Sequence, residues 1–592
     1  MNSHPPAGPS PDQDASRLSW TEEGAPRSIL YGDVFYSLQD GLSESREVFL
    51  KGCGLPEAWL KQPDFIVGEL GFGTGLNILA LLDLWERTRP PGGNLHIFSV
   101  EAHLLDAGEA GRALAAWPEL SEWRDRLLRR WPSRARGFHR LEFPEANAVL
   151  DLAVMDVGDA LKAWDGRANA WFLDGFSPAL NPQMWSEEVL GLVAARSAPG
   201  ARAATFTVAG TVRRGLAAAG FQVSKRPGFG RKRERLEALM SGRPTVRRKG
   251  LTAVIGAGVA GCAIARALHA LGAEVEVFDP RGPGAGASGN PAALVTPRLD
   301  AGLGPVAALY AQALRRAGAV YSEDAIIARG VHQIGAGERD TRRFQVIAES
   351  DLYARGDMEA IPGPALAMHR AFVVEPRVAL AGWLPQEVRH DHVASLTPSP
   401  AGWILNDPSG RPILEASRVI VAAGPSTSGL APGLPLRPVR GQITWVSGPT
   451  TSPAAWGGYV APTRDGLVFG ATHNRGETDE TARLVDDVHN LETLARAFPQ
   501  LAVAISGRPL SSRASIRATT ADHLPVAGEL GSDNPGLFVL SGLGSRGFVL
   551  APLLGEHVAA LALGAPSPLP LDIQVIVDPL RFARRAARRG GE

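Results

Sequence analysis

Cysteine is nearly missing from this chain: Cys53 and Cys262 are the only two in 592 residues. That excludes a disulfide framework and a four-cysteine zinc site, and it fits a reducing compartment. Lysine is scarce too, six residues against 55 arginines, a bias that base composition accounts for without a functional role. Net charge is absent, since 61 basic side chains meet 61 acidic ones. The chain is therefore no uniform polycation, although local basic patches stay open. No apolar run approaches 18 clean residues, so no membrane span is expected. The opening, MNSHPPAGPSPDQDAS, lacks a basic start and an apolar core, so no signal peptide is expected. Its Pro, Ser and Asp content predicts disorder over residues 1–16. What remains is 45% hydrophobic and 21% charged, ordinary for a cytoplasmic globular protein of several domains.

Two stretches read as apolar strand, glycine turn, amphipathic helix. They are DFIVGELGFGTGLNILALLDLWE (Asp64 to Glu86) and LTAVIGAGVAGCAIARALHALGAEVEVFD (Leu251 to Asp279). Their glycine spacings differ, so they are not a repeat, and each is expected to open a nucleotide-binding α/β domain. The basic, Gly/Pro-punctuated stretch from Ser224 to Gly250 lies where a linker belongs. The expected layout is a first domain at 1–243, a basic linker at 244–250 and a second domain at 251–592.

In the first domain Glu69, Gly71, Gly73 and Gly75 form E-x-G-x-G-x-G after a buried strand. The glycines permit positive φ and close approach of a ligand to the backbone. LHIFSVE ends in Glu101, placed to take two ribose hydroxyls. DLAVMDVGDAL offers Asp159 after a glycine at a strand end, and ANAWFLDGFSPALNPQMW offers Asp174 before a Pro-rich loop. Glycine motif and ordered acids together describe the class I S-adenosylmethionine methyltransferase fold. No pyrophosphate has to be held, so G-x-G-x-x-G spacing is not required. Asp174 is the candidate catalytic residue. Cys53 has no activating neighbour in sequence and is expected to be a bystander.

In the second domain Gly256, Gly258 and Gly261 form G-x-G-x-x-G between strand and helix, and Asp279 ends the next strand for an adenosine ribose. The fingerprint alone does not choose between NAD and FAD. The Gly-rich stretch from Arg281 to Leu299, with Ser288, Gly289 and Asn290, suits a flavin oxidase, as does the returning strand that ends at Gly424. A last glycine turn, Gly544-Ser545-Arg546-Gly547, could present N–H groups to the flavin's N1/O2 edge. The expected fold is thus a Rossmann-like methyltransferase followed by a glycine-oxidase-like FAD domain. The latter would have a split Rossmann fold and an α+β substrate subdomain, mostly 306–415 with part of 435–520. Arg437, Arg440, Gln442, Arg517 and His523 are candidates beside flavin or substrate. No metal site is expected.

GELGFGTGLN, LDGFSPALNPQMW, GASGNPAALVTPRL and GSRGFVLAPLLGE resemble the bifunctional tRNA 5-methylaminomethyl-2-thiouridine biosynthesis family, along nearly the whole chain. Its second half is similar to glycine and D-amino-acid oxidases. Ala293 and Thr296 depart from the pattern, which has Gly and Tyr there. The resemblance implies two reactions on the wobble uridine of tRNA. FAD-dependent oxidation removes the carboxymethyl arm of a carboxymethylaminomethyl group, and S-adenosylmethionine then methylates the resulting amine. A fused oxidase and methyltransferase for small free amines is the rival reading. tRNA needs local positive charge. Trp123 to Arg140 holds seven Arg against one Asp, with Trp123, Trp131 and Phe138 interleaved, and Lys225 to Lys249 holds ten basic residues against two Glu. Arg129, Arg130, Arg134, Arg136, Lys232 and Arg233 are therefore candidate tRNA contacts, the aromatics being platforms for splayed bases. No DNA or membrane partner is expected, and a monomer is.

Overall fold

Residues 16–36, 40–230, 233–243 and 250–590 are described by a computed structural model. The expected N-terminal disorder, all of the linker except Gly250, and Lys232 lie outside the described residues, apart from Ser16. Contacts divide the chain into two units, Met1–Arg248 and Lys249–Glu592.

In the first unit the apolar run after Asp64 forms β1 (Asp64–Leu70), buried on both faces as a central parallel strand must be. The others are β2 (Asn94–Val100), β3 (Gly137–Phe143), β4 (Ala148–Val154), β5 (Ala168–Leu173), β6 (Ser197–Thr205), β7 (Phe221–Pro227) and β8 (Glu234–Met240). Their order in one sheet is β3-β4-β2-β1-β5-β6-β8-β7. β4, β2, β1, β5 and β6 run parallel, while β8 is antiparallel to both of its neighbours. The chain builds outward from β1 through β2 and β4, then returns to β5 on β1's other side. That reversal opens a crevice at the carboxyl ends of β1 and β5, where ligands bind in sheets of this type. Helix α1 (Leu76–Thr88) leaves the glycine loop, with Gly75 in left-handed conformation at its N-cap. The segment around two short paired strands, Leu18–Trp20 and Pro26–Ser28, lies beside these strand ends: Asp33 Oδ2 accepts from the Ser177 N–H at 3.0 Å.

The second unit has a five-stranded sheet ordered β10-β9-β11-β15-β14. These strands are β9 (Thr252–Ile255), β10 (Val275–Phe278), β11 (Arg418–Val421), β14 (Val526–Glu529) and β15 (Leu537–Ser541). All are parallel except β14. Helices α4 (Val259–Ala270), α5 (Pro305–Val320) and α6 (Gly547–Leu563) pack beside it in one large core. The α4–α6 contact is close: a Cβ added at Gly555 would stand 2.9 Å from the Ala263 carbonyl carbon. Arg316 of α5 and Glu556 of α6 form a buried ion pair at 2.6 Å, joined by Arg266. A ten-stranded sheet includes Ile326–Ile334, Ala365–Val374, β12 (Arg437–Ser447) and β13 (Ser511–Thr519). The segment expected as substrate subdomain is therefore split. Its middle joins the large sheet, whereas α5 and the three-stranded sheet spanning 395–416 pack on the five-stranded side. Trp403 and Leu405 of that small sheet are buried against Ile255, Phe278 and Val419, a burial that sequence alternation alone does not assign. No described helix is long and apolar enough to cross a membrane, and no described group of His, Cys, Asp and Glu could hold a metal ion.

Candidate functional sites

Gly71 ends β1 with φ +95°, and a Cβ there would sit 2.4 Å from the Asp174 carbonyl oxygen. Only glycine lets the loop pass this close, so the glycine motif and the Asp174 loop are pressed together across the crevice. Gly73 and Gly75 also have positive φ, and the Gly73 N–H donates to Glu101 Oε2 at 3.0 Å. The His103 N–H holds the other Glu101 oxygen at 2.9 Å. Glu101 is thus pinned beside the glycine loop, with lone pairs left for ribose hydroxyls.

Glu69 is fully buried. Burial raises its pKa to about 8; the Ser99 hydroxyl, which donates to Oε2, lowers it and nearby Asp174 raises it. At neutral pH it holds a proton, and its Oε1 has no partner among the described residues. Asp174 stands close by. Its Oδ2 accepts from Asn77 Nδ2 at 2.8 Å and its Oδ1 from the Gly175 N–H at 3.0 Å.

The acid after β4 needs correction. β4 ends at Val154, and Asp156 follows as the N-cap of α3 (Val157–Ala163), accepting from the Gly158 N–H at 2.8 Å. Asp159 is exposed one turn into that helix. Asp156, with Glu101, is close enough to raise the Tyr31 pKa further, although burial is the larger cause. The acid at the strand end is Asp156, exposed like Asp159 but nearer Tyr31; the expected glycine marker, Gly158, is already helical. Tyr31 and Phe35 were missed as well. Tyr31 packs on Phe176 at 4.9 Å and His103 at 5.9 Å, and Phe35 on Phe176 at 5.3 Å. No motif marked them, because they come from the segment before the first long strand. Cys53 is buried and its thiol is pushed up to about 12 by burial, which makes it inert.

The expected RNA platform is mostly core. Trp123 and Phe138 are buried, and the Trp131 indole donates to the Leu105 carbonyl. Arg130 pairs with Glu145 at 2.9 Å, and Arg134 with Glu109 at 3.1 Å and the Leu104 carbonyl at 2.8 Å. Arg129, Arg136 and Arg233 are exposed.

The second unit encloses a cavity of about 960 Å³. Gly256, Gly258, Asp279, Ser288, Asn290, Gly424 and the Gly544–Gly547 turn all line it. Gly256 has φ +106°, and a Cβ there would sit 2.4 Å from the Ala422 carbonyl oxygen. Gly261 and Gly289 do not line the cavity; they shape its walls. A Cβ at Gly261 would lie 1.7 Å from the Gly256 carbonyl oxygen, and one at Gly289 would lie 2.3 Å from that of Gly284. Asp279 Oδ2 accepts from the Ala257 N–H at 2.9 Å, the counterpart of Glu101 holding Gly73. Ser288 Oγ accepts from the Val259 N–H at 3.0 Å at the start of α4. Arg513, missed in the sequence, staples the Gly-rich loop through the Ala285 and Gly286 carbonyls and Asn290. This narrow glycine cradle, helix N-terminus and strand-end acid fit a dinucleotide such as FAD.

At the cavity's other end the substrate candidates separate. Arg517 lines the cavity beside Tyr459 and His473; it donates to the Thr472 carbonyl at 3.1 Å and has no carboxylate partner among the described residues. Burial lowers its pKa, and burial pushes Tyr459 up to about 12. Burial and the charges of Arg517 and Arg475 keep His473 below the usual histidine range. Arg546 also lines the cavity, bonded to the Thr296 side chain, so the unexpected threonine has a partner. Arg440 and Gln442 are corrections. Arg440 is fully buried, paired with Asp486 at 2.6 Å and bonded to Gln442 and the Asp479 and Thr481 carbonyls. Gln442 spends its amide on Asp487 and the Arg483 backbone. Both are scaffold. Arg437 and His523 are exposed and off the cavity wall.

Residues 118–241 match the S-adenosyl-L-methionine-dependent methyltransferase family and residues 252–561 the FAD dependent oxidoreductase family. A tRNA 5-methylaminomethyl-2-thiouridine biosynthesis bifunctional protein from Caulobacter vibrioides is 56% identical over 98% of this chain and 98% of its own. One from Caulobacter sp. is 54% identical over 97% and 99%. One from Maricaulis maris is 41% identical over 98% of each. A solved glycine oxidase from Geobacillus kaustophilus is 22% identical with TM-score 0.46, covering 56% of this chain and 99% of that one. With a glycine-loop crevice in one unit, a flavin-sized cavity in the other and relatives matching from end to end, the chain belongs to the family of tRNA 5-methylaminomethyl-2-thiouridine biosynthesis bifunctional proteins.

Proposed function

We propose that this chain completes the methylaminomethyl group of a tRNA wobble uridine in two steps. The second unit removes a carboxymethyl arm from the side-chain nitrogen, and the first unit methylates the amine that results. The observation that carries this reading is the presence of both sites in a chain 56% identical, over 98% of its length, to a relative of that name. When bound, FAD supplies a hydride acceptor and S-adenosylmethionine an electrophilic methyl group. The protein's own residues do the rest.

In the oxidase cavity Arg517 is the cation for the substrate carboxylate. A planar guanidinium holds a carboxylate through two parallel hydrogen bonds, and Arg517 has no carboxylate partner among the described residues. Arg546 supplies a second positive group on the same wall. His473, kept neutral, can accept a proton where Arg517 cannot. Gly256, Gly258, Asp279, Ser288 and the Gly544–Gly547 turn would hold FAD.

In the first unit Glu101, Asp156 and the Gly71–Gly75 loop would hold S-adenosylmethionine, with Tyr31 and Phe35 walling the site. An amine attacks only when neutral, so a group must take its proton. Asp174, on the loop after β5, takes that role, with the buried Glu69, its pKa raised by burial, behind it. Arg129, Arg136 and Arg233 are the exposed cations that would meet tRNA phosphates.

The test is nucleoside mass spectrometry of tRNA from a strain lacking the gene. Carboxymethylaminomethyl-uridine derivatives should accumulate and be converted by added protein with S-adenosylmethionine. An unchanged profile, with purified yellow protein oxidising only free amines, would hand the case to the small-amine reading.

A further inference from the structure

Asn77 is the second residue of α1, on the helix that leaves the glycine loop, and its side chain is 7% exposed. Its Nδ2 donates to Asp174 Oδ2 at 2.8 Å, across the crevice between the cofactor loop and the loop after β5. Its Oδ1 accepts from the Ser45 hydroxyl at 2.6 Å, and Ser45 is itself buried. Turned over, the amide would aim its oxygen at the Asp174 carboxylate, two acceptors face to face. The network therefore permits one orientation, with the NH2 group toward the acid. Asn77 also lies near enough to Glu69 to lower that acid's pKa, against the larger effect of burial. Asp174 Oδ1 is fixed independently by the Gly175 N–H.

We infer that Asn77, oriented by Ser45, is a positioning residue for methyl transfer, aiming the Asp174 carboxylate at the amine whose proton it accepts. The inference rests on the proposed role of Asp174. Asn77 touches neither the amine nor the methyl group; it acts through the acid. A carboxylate on a loop end can swing about its side-chain bonds. Held by Asn77 at Oδ2 and by the Gly175 N–H at Oδ1, the carboxylate keeps a fixed orientation at the crevice. Because the holding amide sits on the helix that starts at the cofactor loop, acid and methyl donor are registered to the same rigid element. Ser45 comes from a third element, Ser45–Leu50, and anchors the amide oxygen, while the acceptor-only Asp174 carboxylate excludes the turned-over amide.

The test uses the full-length holoenzyme and aminomethyl-tRNA. Asn77→Leu, which keeps the branched outline and removes the amide, should lower the methylation kcat by about 10²-fold, the usual cost of slight misplacement of a reacting group. KM for tRNA and the S-adenosylmethionine Kd from calorimetry should move less than about threefold. Its acid limb in the kcat–pH profile should shift, since Asp174 loses a donor to its charged form; Glu69 and Glu101 are the other acids facing this point. Ser45→Ala should lose about tenfold in kcat and Ser45→Thr, which keeps the hydroxyl, should recover most of it. The oxidase rate of each variant reports on the fold of the other unit, and a thermal melt reports on this one. Ser45→Ala and Ser45→Thr of equal kcat, or an Asn77→Leu enzyme whose only defect is weaker cofactor binding, would overturn the inference. An Asp174→Asn enzyme at the wild-type rate would instead overturn the role of Asp174 on which it rests. Slow Asp174→Asn beside unimpaired Asn77→Leu would overturn this inference alone.

Discussion

Arg440 and Arg517 stand on paired strands, where Arg440 faces Ile516 in the register of β12 and β13. In sequence they are equivalent candidates. What separates them is the company each keeps: Asp486 neutralises Arg440 inside the protein, and no described carboxylate pairs with Arg517 at the cavity wall. Opposite consequences are expected from the same substitution. Arg440→Met strands Asp486 without its cation and should destabilise the second unit by about 3–5 kcal/mol. Arg517→Met removes a cation that burial has already desolvated without a described carboxylate partner, so the melting temperature should hold or rise while kcat/KM for oxidation falls by at least about a hundredfold. Thermal melts beside steady-state kinetics check the pair, and a destabilised Arg517→Met would make that residue scaffold as well.

Glu69 makes a prediction of its own, on pH. Its pKa in the fold is about 8 against an ordinary 4.5. Between those values the unfolded chain has released the proton and the folded chain still holds it, so stability falls as pH rises through this window. Glu69→Gln removes the effect. Without cofactor, the variant should gain on the wild type from pH 5 to pH 8 by on the order of a few kcal/mol, read as melting temperature of the first unit. A constant difference across that range would mean Glu69 is ionised in the fold.

At the scale of elements, the two units solve one problem twice. In each, the first strand ends in a glycine of positive φ whose missing side chain makes room for a carbonyl across the switch point, Asp174 for Gly71 and Ala422 for Gly256, both at 2.4 Å from an added Cβ. In each, the acid after the second strand accepts an N–H from the glycine loop. Gly256→Ala should therefore strain the backbone and push β9 off β11. We expect flavin occupancy of the purified protein, read from its 450 nm absorbance, to fall at least about tenfold, with methylation of aminomethyl-tRNA unchanged. Full flavin occupancy would show that the cradle tolerates a methyl group. These loops were legible in the sequence because glycine spacing, apolar strands and terminal acids are all local. Asp156 was not, because Gly158 looked like a strand end and is a helix residue. The basic segment misled for a related reason. Arg interleaved with Trp describes an RNA platform and equally a helix whose Trp123 and Leu127, four apart, face the core while Arg126 and Arg130 meet Glu122 and Glu145. Partners 15 or 46 residues away, as for Arg130 and Arg440, leave no mark in a local pattern.

On the scale of the whole chain, each apolar core is drawn from one unit alone. Three clusters lie within residues 18–240 and four within 251–577. Each central sheet is likewise completed by strands of its own unit. Stability that comes from burial within these clusters is then divisible between the units. Expressed separately, residues 1–243 and 250–592 should each fold and melt cooperatively. The longer piece should be yellow and remove the carboxymethyl arm, and the shorter should methylate aminomethyl-tRNA at a kcat within about threefold of the intact enzyme. tRNA binding by the shorter piece should weaken with salt, and Arg129→Ala with Arg233→Ala should reduce the slope of log K against log salt by about two. A shorter piece that folds and binds S-adenosylmethionine but no longer binds tRNA would place the main RNA contacts in the oxidase unit. The two exposed arginines would then be ordinary solvated charges, and the division of labour would run through the tRNA as well as through the chemistry.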